Sequence, residues 1–112
     1  VAKAYAQADE MDVVLHRNFS EMMEFARAGK EIPIEKRALF RYQSATVVRR
    51  CVDLVDDLLP LLGGRAIYND SPIIRYWLNL NAARAHVAND TNNFGPDVTN
   101  TLMGEKPGFL FL

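Results

Sequence analysis

Residues 2–28, AKAYAQADEMDVVLHRNFSEMMEFARA, place apolar side chains at separations of mostly three and four: Ala2, Tyr5, Ala6, Met11, Val14, Leu15, Phe19, Met22, Met23 and Ala26. Lys3, Asp9, Glu10, Arg17, Glu21 and Arg27 fall largely between them. This period predicts one long amphipathic helix. Gly29 can close it with a left-handed cap, and Ile32-Pro33 favours extended backbone, so a short loop follows. A second helix is predicted from about Ile34 to Leu62, burying Leu39, Phe40, Val47, Val48, Cys51, Leu54, Val55, Leu58, Leu59 and Leu62. Pro60 has no amide proton and should kink or fray its last turn.

Gly63-Gly64 stops that helix, and Arg65–Asp70 has neither a helical nor an alternating period, so it reads as a loop of fixed shape. Ser71-Pro72 is a start signal, since a Ser can cap free amides and proline fits the first helical position. A third helix is predicted from Pro72 to about Asn89, with Ile73, Ile74, Trp77, Leu78, Leu80 and Val87 on its face. Asn, Asp, Thr and Gly between Asn89 and Pro96 should break it, leaving a short fourth helix over Asp97–Met103. No period of two persists over five residues. The predicted fold is therefore all-α, an up-down helical bundle, with residues 1–112 as one helical domain. Two rods of nearly thirty residues would each span about 40 Å, long for a domain of this size. Together with an opening at Val1 directly into a helical pattern, this leads to the expectation of a fragment of a larger protein.

The 112 residues are 49% apolar and 24% charged, too apolar for a disordered chain. Thirteen Lys plus Arg against fourteen Asp plus Glu give a net charge of -1, so no nucleic-acid or anionic-membrane partner is expected. No apolar run approaches the roughly 20 residues of a membrane span, and no signal-peptide pattern opens the chain. A soluble, cytoplasmic protein is expected. Cys51 stands in an apolar helical pattern and reads as a small buried hydrophobe.

Neither His16 nor His86 has a His or Glu at helical zinc-site spacing, so no metal is expected. Gly63-Gly64-Arg65 lacks the ending of a P-loop. His16 lies one turn from Asp12 and Ser20 and reads as a surface residue. The unusual residues gather between Gly63 and Asn89. Gly63-Gly64 reads most simply as a helix stop, though bare backbone also admits a planar cofactor or a neighbouring subunit. Arg75 and Arg84 read most simply as solvated or ion-paired, yet an Arg near a helix start can hold a carboxylate or phosphate. On a helix, His86 would share a face with Ala82, Ala83, Asn89 and Asp90, which suits proton handling or hydrogen bonding near neutral pH. An isolated histidine is more often a polar surface residue.

The run Gly63-Gly64-Arg65-Ala66-Ile67-Tyr68-Asn69-Asp70-Ser71-Pro72-Ile73-Ile74-Arg75-Tyr76-Trp77, continued by Ala82-Ala83-Arg84-Ala85-His86, resembles the C-terminal helical domain of flavin-dependent monooxygenases with the acyl-CoA dehydrogenase fold. This is the group of p-hydroxyphenylacetate hydroxylase oxygenases, secosteroid hydroxylases and dibenzothiophene monooxygenases. Tyr68, Pro72, Arg75, Trp77, Ala83 and His86 match its pattern. Leu78 and Asn79 depart from the Arg-Asp usual there.

The resemblance implies a reduced flavin cofactor, FMN or FAD, supplied by a flavin reductase component, and O2 as the oxidant for a small aromatic or related substrate. It implies that His86 is the catalytic residue facing the substrate beside the flavin ring. There it would orient or help deprotonate a phenolic hydroxyl, or steady an oxygen adduct of the flavin. It further implies that Gly63, Gly64, Tyr68 and Arg75 form the cofactor-binding set, the glycine loop and Tyr68 approaching a flavin held chiefly by another subunit. A homo-oligomer, tetrameric in the family, and further domains upstream are expected with it. Two other readings stay open: an acyl-CoA dehydrogenase proper, which needs a glutamate base where none stands between Asp70 and Thr101, and a helical oligomerisation module.

Overall fold

In a computed structural model, residues 1–68 and 70–108 are described, and they form four α-helices: α1 (Ala2–Arg27), α2 (Ile34–Leu58), α3 (Pro72–Arg84) and α4 (Thr91–Leu102). No strand occurs among them. Asn69, part of the expected loop, lies outside the described residues.

Local signals set most of the boundaries. Gly29 takes φ 63°, its N–H donates to the Ala26 carbonyl, and the Lys30 N–H donates to the Phe25 carbonyl. That pair of bonds is a Schellman closure, which satisfies carbonyls the ending helix cannot. Pro60 falls in a 3₁₀ turn, Leu59–Leu62, so the α-helix ends at Leu58 and not at Leu62. A second 3₁₀ turn, Gly64–Ile67, gives the following loop its shape. Ser71 is the N-cap of α3 with Pro72 just inside it, although the serine hydroxyl makes no capping bond.

α2 is the element against which the other three pack. α1 runs antiparallel to it, because Lys3 pairs with Asp57 at 3.0 Å, Arg50 with Glu10 at 3.3 Å, and Lys36 with Glu21. Inside that seam the buried Asn18 donates to Gln43 Oε1 at 2.9 Å, and Arg17 donates to both Gln43 Oε1 and Asn18 Oδ1. Such a bonded cluster fixes the register of two apolar rods, because slippage would strand a buried amide.

α3 and α4 share the remaining length of α2, one after the other. Trp77 Nε1 donates to Asp56 near the α2 C-terminus, whereas Gly95 of α4 lies against the Tyr42 ring nearer its start. Both therefore run antiparallel to α2, as one rod of the bundle broken in two. Phe94, fully buried, anchors the second piece beneath the Arg41 guanidinium, 4.6 Å from the ring centroid.

The structure corrects three expectations here. α3 stops at Arg84, five residues before Asn89, because polar side chains compete for its backbone: Asn89 Nδ2 donates to the Ala83 carbonyl at 2.8 Å. α4 begins at Thr91 and carries Pro96 inside it, so the Asn/Gly cluster is helical and no break. Asp90 Oδ1 accepts the Asn92 N–H at 3.0 Å as its cap, and burial of Phe94, Asp97 and Thr101 outweighs the local breakers. The core is also narrower than expected: Leu39, Leu62, Leu78 and Val87 are exposed, as are Tyr5, Phe19 and Met23 of α1, and Ala38, Phe40, Ala45, Val52 and Leu54 form the buried side of α2.

Replacing Phe94 by Ala is expected to lower unfolding stability by about 3–5 kcal/mol in guanidinium titrations, since it removes a fully buried aromatic ring from the α2–α4 contact. Tyr5→Ala, at a side chain of α1 that is 79% exposed, should change it by no more than about 0.5 kcal/mol.

Candidate functional site

The residues singled out by sequence fall at the two ends of α3. At its N-terminal end, Gly63 adopts φ 71° and ψ -173°, a region essentially restricted to glycine, and a side chain there would meet nothing within 4 Å. Gly64 has no such constraint and equally open surroundings. Gly63 opens onto an apolar cleft of about 340 Å³ whose walls are Pro60, Ala66, Ile67, Ile74 and Trp77. The cleft is held by the 2.6 Å bond from Trp77 Nε1 to Asp56, which ties the floor of α3 to α2.

Beside it lie two more polar depressions that share Asp70 and Ser71. One, of about 350 Å³, is bounded by Arg65 and Tyr68. The other, of about 200 Å³, is bounded by Pro72, Arg75 and Tyr76. Tyr68 is 63% exposed, and among the described residues neither Arg65 nor Arg75 is engaged in an ion pair. Bare backbone, an apolar cleft, an open phenol and uncommitted cations thus lie on one stretch of surface. That combination suits a planar ring carrying an anionic tail.

His86 stands at the other end. Arg84 lies nine helical steps after Arg75 on α3, about 14 Å at the helical rise, so this chain does not bring His86 together with Gly63, Tyr68 and Arg75. The expectation that His86 rides a helical face beside Ala82 and Ala83 is corrected: its backbone is extended, φ -73° and ψ 135°, in the break between α3 and α4. Its side chain is exposed, and Nδ1 accepts the Ala88 N–H at 3.1 Å. The residues on either side of it, Ala85 and Val87, line a polar hollow of about 440 Å³ with Arg49, Arg84, Asn89 and Asp90, from which His86 itself is absent. Sequence reasoning missed Arg49 and Asp56. Arg49 could not be found by spacing, whereas Asp56 carries a weak signal, a carboxylate one turn from the cleft on a predicted helix.

The other candidates behave as plain structure. His16 Nδ1 lies 3.0 Å from the Asp12 carbonyl and 3.3 Å from the Asp12 carboxylate on the exposed face of α1. Burial pushes the Cys51 thiol up, with Arg50 pulling it partly back, and its sulfur touches that of Met11 at 4.0 Å. A raised thiol is a poor nucleophile. Among the described residues no three His, Cys, Asp or Glu side chains could share a metal ion, and no helix is long and apolar enough to cross a membrane.

Known proteins match this sequence and this fold. Residues 1–91 match the family described as acyl-CoA dehydrogenase, C-terminal domain. The chain is 33% identical over 108 residues to the oxygenase subunit HsaA of a flavin-dependent monooxygenase from Mycobacterium tuberculosis (strain ATCC 25618 / H37Rv), over 96% of this chain and 27% of that protein. Superposed on the crystal structure of the HsaA monooxygenase from M. tuberculosis, it gives a TM-score of 0.89 at 32% identity, covering 97% of this chain and 28% of that one. The crystal structure of 3-HSA hydroxylase from Rhodococcus sp. RHA1 gives 0.86 at 27% identity, covering 93% and 27%. The chain thus spans less than a third of the length of these relatives.

The two glycines separate fold from contact. Gly63→Ala should destabilise the chain by about 1–3 kcal/mol through backbone strain, read by thermal or denaturant unfolding. Gly64→Ala should leave unfolding within about 0.5 kcal/mol.

Proposed function

Because the chain belongs to the family of acyl-CoA dehydrogenase C-terminal domains, we propose that it forms the C-terminal helical domain of a two-component flavin-dependent monooxygenase, which hydroxylates a small aromatic or related substrate with reduced flavin and O2. The observation that carries this reading is the 33% identity over 96% of the chain to a monooxygenase oxygenase subunit, with a TM-score of 0.89 to a solved one. The dehydrogenase reading needs a glutamate to remove a substrate proton, and the sequence has none between Asp70 and Thr101.

The surface at the start of α3 fits a flavin. Gly63 and Gly64 leave the backbone open for close approach, Ile67 offers exposed apolar surface and Tyr68 an exposed ring, and Arg75 supplies a cation for a phosphate, common to FMN and FAD. When bound, reduced flavin supplies the activation of O2, chemistry that no side chain of this chain provides. His86 acts on the substrate hydroxyl from the far end of the helix. The 14 Å or so of α3 between these groups suits two flavin sites, one served by each end, and so an assembly in which the glycine loop reaches a flavin held mainly by a neighbouring subunit. A homotetramer and a separate reductase complete this reading, in a soluble cytoplasmic enzyme.

A titration with reduced flavin tests the class: the complete enzyme should bind it, and no affinity in any form of the enzyme would leave only an oligomerisation role. His86→Ala tests the site. It should cut the yield of hydroxylated product per O2 by about tenfold or more, with the balance released as hydrogen peroxide, while loss of the bond to Ala88 lowers stability by only about 1 kcal/mol. Unchanged coupling would remove His86 from the site.

A further inference from the structure

Catalytic histidines that act as bases share a wiring pattern: the rear nitrogen carries a proton and gives it to a carboxylate or carbonyl, which leaves a lone pair on the working nitrogen. In this protein the rear nitrogen meets the opposite partner. Ala88 N–H is a donor and points at His86 Nδ1 over 3.1 Å. The neighbouring amide, of Asn89, is already taken by the His86 carbonyl at 2.9 Å, and Asp90 N–H by the Val87 carbonyl at 3.2 Å. The ring therefore serves as the side-chain cap of the 3₁₀ turn Val87–Asn89, a task usually given to the oxygen of Ser, Asp or Asn.

A ring nitrogen that accepts a hydrogen bond carries no proton. In a neutral imidazole the proton then resides on Nε2, so the edge of the ring turned away from the backbone is a donor. The alternative tautomer would set the Nδ1 proton against the Ala88 amide, two donors face to face. No carboxylate or carbonyl stands in a hydrogen bond to the ring among the described residues. Asp90, four residues on, is committed to the Asn92 amide.

We infer that His86 meets the substrate as a hydrogen-bond donor and not as its base, with the Ala88 amide as the positioning group that fixes the proton on Nε2, and that the oxygen it receives is a phenolate. The inference rests on the functional reading above. A neutral N–H donor binds an anionic oxygen more strongly than a neutral one, by an amount equivalent to about tenfold or more in preference. His86 thus favours the ionised form of a phenol without itself taking up the proton, which leaves to solvent as the ring binds.

Two substitutions divide the ring into its halves. Asn can still accept the Ala88 amide but ends short of Nε2. Gln can carry an amide N–H outward to about that position, and neither amide takes up a proton at neutral pH. In the complete enzyme, 4-nitrophenol should bind to the wild type and to His86→Gln with its absorption shifted toward the phenolate, the two ratios agreeing within about threefold. His86→Asn should unfold at the wild-type temperature and lose that preference about tenfold. With a phenolic substrate, coupled hydroxylation in His86→Gln should exceed that in His86→Asn by a similar factor. An equal phenolate fraction in all three proteins, or equal loss of it and of coupling in both variants, overturns the donor assignment. So does a nitrogen NMR signal showing His86 protonated at Nδ1. A wild-type enzyme that binds no reduced flavin overturns the functional reading itself, and with it any role of His86 toward substrate.

Discussion

Everything in this domain is fitted to the length of α2. The helix offers 25 residues of side for others to cover, and α3 and α4, with 13 and 12 residues, cover it in succession. A single straight helix could not carry both Trp77 to Asp56 and Phe94 into the groove beneath Arg41, because five residues between Ala85 and Asn89 leave the helical path. The break is therefore not slack in the chain. It lets two separate anchors seat on one rod, each at its own rotation.

Such a break exposes backbone groups at two new helix ends, and those groups need partners. Three neighbouring side chains provide them. Asn89 satisfies the Ala83 carbonyl, His86 the Ala88 amide, and Asp90 the Asn92 amide. The histidine is in this sense recruited first by the backbone. One ring nitrogen is consumed by the break, and the identity of the other as donor follows from that consumption. Geometry that holds the chain together thus restricts what chemistry the side chain can offer. The arrangement of a base backed by a carboxylate has no counterpart among the described residues, since Asp90 is spent on a cap.

Where a signal is local, the sequence could be read directly. Gly29 announces its own left-handed closure, Pro60 the fraying of α2, and Ser71-Pro72 the start of α3, each because a backbone restriction acts within a few residues. The all-α class follows in the same way from spacing alone. The end of α3 and the start of α4 were not legible, because they depend on competition between distant burial and nearby polar groups. Nothing in the local pattern of Asn92, Asn93, Gly95 and Pro96 reveals that Phe94 and Asp97 will be buried against α2. Gly63 and Tyr68 were legible as candidates, since a glycine pair and an aromatic break the helical pattern. The separation of His86 from them was not, because a motif read along a line conceals which end of a helix each residue serves.

The exposed apolar side chains carry the remaining argument. Phe19 and Met23 on α1, and Leu61, Leu62 and Ile67 around the glycine loop, lie toward opposite ends of a body about 51 Å long. Scattered singly they would mean little, but grouped beside a 420 Å³ groove at Phe19, Met22 and Phe40, and beside the cleft at Gly63, they form faces that water wets at a cost. Under the proposed reading these faces have different work. The α1 groove has Arg37 and Arg41 in its wall and no residue of the flavin set, so covering it serves stability. The glycine-loop face combines apolar cover with Tyr68 and Arg75, so whatever closes it also completes a binding surface. Water exclusion and ligand binding are then one event at that end of α3, which is the condition an oxygen-activating site needs to retain its reactive species long enough to be used.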